Sequence, residues 1–83
     1  MALSNPELLA HLINLAESLD INVREDSIEE SRGGLYILKG KRNLLINKDL
    51  IIEEKIDMLL GILKKEYLAD MYVLPAVREL LEK

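Results

Sequence analysis

One histidine, no cysteine and a scatter of carboxylates are the reactive groups of this 83-residue chain. As a general base, His11 would need a nucleophile and an orienting group within reach. It lies beside Leu8 and Leu15 at the edge of an apolar stripe. Asn14 and Ser18 stand on nearby helical turns but do not complete such a set. The pattern reads as a surface or boundary histidine. One imidazole cannot make a zinc site, and without cysteine there is no thiolate, disulfide or Cys-based metal chemistry. Glu25, Asp26, Glu29 and Glu30 gather in one segment, yet they lack the glycine and ligand spacing of an EF-hand loop. They read as a solvated acidic loop. Gly34 and Gly40-Lys41 invite comparison with a phosphate-binding loop. Five residues separate these glycines where that loop has four, Arg42 replaces Ser or Thr, and a strand follows instead of a helix. No enzyme motif survives, so the expectation is a non-enzyme with no cofactor and no metal.

What remains is a charge pattern. The stretch 32–48 contains Arg32, Lys39, Lys41, Arg42 and Lys48 and no acid. The rest of the chain then holds six basic residues against fifteen acidic ones, so a segment of +5 sits in flanks of −9. These five residues are the candidate contacts for a partner or an anion. A phosphate backbone is one such ligand, but no aromatic is interleaved at the tip for base stacking. The acidic whole also argues against general nucleic-acid or membrane binding. Charges at a sheet edge also serve simply as solvated guards. On that reading, changing Lys39, Lys41 and Arg42 together barely alters the fold.

The elements that must carry these residues can be read from periodicity. Ser4 and Glu7 have capping-box spacing and Pro6 suits a first turn. Leu8, Leu12, Leu15 and Leu19, widened by Leu9, Ile13 and Ala16, predict an amphipathic helix of about four turns. Ile21 and Val23 alternate with Asn22 and Arg24 as a short strand. Residues 35–38 and 44–46 are apolar runs of strand length around Gly40, which predicts a β-hairpin. Glu53, Glu54 and Asp57 open a second helix, where carboxylates favour the positive end. Its inward stripe is Ile52, Ile56, Leu59, Leu60, Leu63 and Tyr67, with Leu60 expected at the centre of the core. Gly61 interrupts this helix at a cost of about 1 kcal/mol relative to Ala, unless close packing requires it. A loop with anchors Leu68, Met71 and Val73 leads to Pro75, which opens a short helix with Val77, Leu80 and Leu81 inward.

The expected architecture is a single α+β domain over residues 1–83. A small, mainly antiparallel three-stranded sheet packs with three helices in the order α-β-β-β-α-α. Two features predict self-association. The hairpin is apolar on both faces, where a sheet with one wet face should alternate, so either helices cover both faces or a second subunit covers one. The last helix is too short to stand alone and must dock. A two-fold homodimer is the simplest form. No stretch reaches the length of a membrane span and no secretory pattern precedes the first helix, so the cytoplasm is the expected location.

The order and spacing of Gly33-Gly34-Leu35, Gly40-Lys41-Arg42, Glu53-Glu54-Lys55-Ile56 and Leu74-Pro75-Ala76-Val77-Arg78-Glu79 resemble a set of small uncharacterised bacterial proteins. Those share a helix, a strand, Gly-Gly before a strand pair and a C-terminal Pro-x-x-Arg-Glu. The resemblance implies a fold and no activity. The strand, turn and strand ending in Ile46-Asn47 also resemble the IrrE/ImmA-type zinc peptidases. There the following helix carries His-Glu-x-x-His, whereas residues 54–63 here contain no histidine, which implies that peptidase activity is missing. The functional expectation is therefore a self-associating protein-interaction module, with an unknown protein as a further partner. The alternative is a small anion or nucleic-acid binder using the basic hairpin.

Overall fold

The computed structural model describes residues 3–66 and 72–83. Helix α1 spans Asn5–Ser18 and is followed by strands β1 (Ile21–Asp26), β2 (Gly33–Leu38) and β3 (Lys41–Asn47). Helices α2 (Ile52–Glu66) and α3 (Pro75–Leu81) complete the α-β-β-β-α-α order of an α+β fold. The start of α1 is set by the expected capping box. The Glu7 amide donates to Ser4 Oγ, and the Ser4 amide and hydroxyl both donate to Glu7 Oε1. These bonds satisfy helix-terminal donors that would otherwise lack partners. Tyr67, Leu68 and Met71, expected as core or loop anchors, lie outside the described residues.

The sheet is mixed instead of mainly antiparallel. Its order is β1-β3-β2, with β3 in the centre. It pairs antiparallel with β2 and parallel with β1. Residues 27–32 make this possible by arching over the end of β3, which then enters between its two predecessors. Asn47 pins that arch: its side-chain amide donates to the carbonyls of Ile28 at 2.9 Å and Ser31 at 2.8 Å. Its own carbonyl side-chain oxygen accepts from the Asp49 amide, which shapes the exit towards α2. Gly33 closes the arch at φ +105, and a Cβ there would collide with the Leu45 carbonyl oxygen. Only glycine meets both demands. At the other end, Lys39 (φ 52) and Gly40 (φ 77) form the two-residue hairpin turn, with the paired positive φ values of a type I′ turn.

Register fixes the faces. Ile21 and Val23 share a face with Leu44 and Ile46, and with Leu35 and Ile37 of β2. The helices pack on this face alone. Leu12 and Ala16 of α1, Ile56, Leu59 and Leu63 of α2, and Val77 and Leu81 of α3 join Ile21, Leu44 and Ile46 in one buried cluster. Leu60 is only half-buried at its margin, so the centre of the α2 stripe falls on Leu59 and Leu63. Among the described residues no helix lies over the opposite face, which carries Tyr36, Leu38 and Leu45 beside Asn22, Arg24 and Asn43.

Candidate interaction surface

The five basic residues of the hairpin do not converge. Arg32 and Lys48 flank one end of the strands, and Lys39, Lys41 and Arg42 the other, roughly 20 Å away at about 3.3 Å per residue. Arg42 is not part of an open tip. Its Nη2 donates to the Leu19 carbonyl at 2.6 Å, and its Nη1 pairs with Glu66. It therefore ties the sheet to the ends of α1 and α2, so its replacement should disturb the fold, contrary to the expectation that all three tip charges are dispensable. Lys41 lines a shallow hollow together with Glu17 and Asp20. Lys39 and Lys48 are exposed.

The described reactive groups form no catalytic set. His11 is exposed on α1 and shares a shallow hollow with Asn14, Ser18 and Tyr72, but the Ser18 hydroxyl donates to the Leu15 carbonyl at 2.6 Å. Glu25 is paired with Lys55 at 2.6 Å, and Asp26 accepts from the Ser27 amide. Among the described residues, no three His, Cys, Asp or Glu side chains come together as metal ligands. Gly34 lies in β2 and Gly40 in the turn, separated by the length of a strand and unable to cradle one phosphate.

The notable surface is instead the outer margin of β2. The Asn47 amide donates to the Arg32 carbonyl at 2.9 Å, which sets the phase of the antiparallel ladder. Bonding and non-bonding pairs alternate along such a ladder. Gly34, Tyr36 and Leu38 therefore bond to β3, and Gly33, Leu35 and Ile37 turn their backbone groups outward. The Gly33 amide is satisfied by Ser31 Oγ at 3.1 Å. Among the described residues, Leu35 and Ile37 are left with one free N–H and one free carbonyl each. Their side chains are also open, Leu35 at 46% and Ile37 at 71% exposure, with Leu38 at 57% and Tyr36 at 37% on the other face. An exposed apolar edge strand is a template for pairing with another chain. The opposite edge of the sheet differs: β1 presents Asn22, Arg24, Glu25 and Asp26, which is the polar protection expected of an edge that stays free.

A groove of about 670 Å³ runs between β2 and α2 on the helix face. Leu35 forms its floor, and Met58 and Ile62, both half-buried, form its wall. Asp57, Gly61 and Lys65 follow along its rim. Sequence reading noted Gly61 as an anomaly but gave no sign of the groove, because its two sides are more than twenty residues apart. The hidden phase of the β2 backbone was likewise illegible. Compared with protein-family models, with curated proteins and with solved structures, the chain matches none.

Proposed function

We propose that this chain is a non-enzymatic cytoplasmic module that works by associating with itself through the free edge of β2 and the adjoining groove. The observation that carries this reading is a strand with four consecutive exposed apolar side chains and unpaired backbone groups at Leu35 and Ile37. Apolar contacts supply most of the drive for such an association, at roughly 25 cal/mol per Å² removed from water. Edge hydrogen bonds supply direction. The groove contributes a second apolar wall beside the edge, so one partner can bury both. Among the described residues, no helix is long and apolar enough to cross a membrane.

An anion-binding role for the hairpin has less support. Its five cations divide between two ends of the sheet, and Arg42 is already engaged. Sedimentation equilibrium from low micromolar to millimolar concentration tests the reading. A concentration-dependent dimer is expected. A monomer throughout would overturn it.

A further inference from the structure

We infer that a second copy docks by antiparallel pairing of β2 with its own equivalent, in the register that sets Leu35 opposite Ile37 of the copy. This rests on the self-association reading and adds to it a symmetry and a register. The backbone selects the register. Leu35 opposite Ile37, and Ile37 opposite Leu35, use all four free groups of each strand. A shift of two residues in one direction would draw on Gly33, whose amide is already bonded to Ser31. A shift in the other direction would draw on Lys39, which belongs to the turn at φ 52.

The side chains agree with that choice. The two-fold axis passes through Tyr36, so the two Tyr36 rings meet as neighbours on the helix-free face, a favourable cross-strand arrangement. Leu38 then lies opposite Gly34 of the copy, where a Cβ would meet nothing within 4 Å. The small residue leaves space for the large one.

The helix face supplies an independent argument from charge. Helix α2 runs back along β3: Lys55 near its start reaches Glu25, and Glu66 at its end reaches Arg42. Two-fold pairing therefore makes the two α2 helices antiparallel across a shared groove. Asp57 and Lys65 stand four residues either side of Gly61, all three on the groove rim. In one helix they are about 12 Å apart, too far to pair, and neither has an ion-pair partner among the described residues. In the antiparallel arrangement Asp57 of each helix and Lys65 of the copy come to one shared groove, twice over, together with Arg32 and Glu66 of each copy. Such self-complementarity is the signature of an isologous interface. It also gives Gly61 a use, since no contact within the monomer requires a glycine there.

The chain has no cysteine, so single-cysteine variants report proximity without background. Tyr36→Cys should form a covalent dimer under mild oxidation, because a non-bonded antiparallel pair lies within disulfide range. Asn22→Cys, on the other edge strand, should not. Independently, Asp57→Lys should weaken dimerisation roughly tenfold by turning two attractions into repulsions. The double variant D57K/K65D should restore it to the parent level. If the protein dimerises but Tyr36→Cys stays unlinked, or the double variant is no better than Asp57→Lys, this register is overturned and self-association stands. If the parent does not dimerise, both fall.

Discussion

Lys39 and Arg42 sit three residues apart at one turn and do opposite things. Lys39 occupies left-handed backbone at φ 52 with an exposed side chain, a conformation that costs most residues but suits Asn before Gly. Lys39→Asn should therefore stabilise the protein by roughly 0.5–1 kcal/mol, a rise of a few degrees in a thermal melt. A melt that falls would mean that the ammonium is engaged. Arg42 is half-buried and bonded to the Leu19 carbonyl and to Glu66. Its side chain is 34% exposed and that of Glu66 32%, so solvent screens part of the pair. Arg42→Ser should still cost about 1–2 kcal/mol, chiefly by leaving the carbonyl and carboxylate without their donor. An unchanged melt would show that these bonds contribute nothing. The two residues look alike in sequence, as basic neighbours of Gly40. What separates them is that Lys39 stands in the turn whereas Arg42 lies on the helix-covered face of β3, and that face depends on a register the local residues do not set.

Elements whose logic is local were legible, and those fixed at a distance were not. The start of α1 follows from Ser4 and Glu7, three residues apart. The hydroxyl and amide of Ser4 hold the Glu7 carboxyl below its ordinary value near 4.5, with a minor contribution from His11. A depressed folded value means that the stabilisation is fully present above the unfolded value and is lost as pH falls through the folded one. The melting difference between parent and Glu7→Gln should thus be present at pH 7 and shrink below about pH 4.5. A difference that persists unchanged in acid would contradict the capping role. The α2 stripe was legible as a period but not as a depth. Leu59 is fully buried and Leu60 lies at the margin. Leu59→Ala should cost about 2–5 kcal/mol and Leu60→Ala roughly 1 kcal/mol, both by denaturant titration. Equal losses would place the α2 axis differently. The strand order could not be read at all. Asn47 helps to hold it, through an amide that bonds carbonyls 19 and 16 residues earlier, and nothing near Asn47 announces that reach.

At the scale of the whole molecule, the apolar excess of the hairpin foreshadowed an incomplete sheet, covered by helices on one face and ending in an unguarded strand. The sequence offered the charges of that hairpin as candidate contacts, beside the self-association suggested by its apolar faces. The geometry points to the backbone and apolar side chains between those charges, because the cations are parted by a strand's length while Leu35 and Ile37 share one open edge. The central claim is that this edge is completed by a second copy. Amide hydrogen exchange at Leu35 and Ile37, followed by NMR over a range of protein concentrations, tests it most directly. Tyr36 and Leu38, bonded to β3, should be protected at every concentration. Leu35 and Ile37 should exchange freely in dilute protein and become protected as concentration rises, since association adds a bond to each. If both amides exchange freely at all concentrations while Tyr36 remains protected, the β2 edge stays open and the account is wrong.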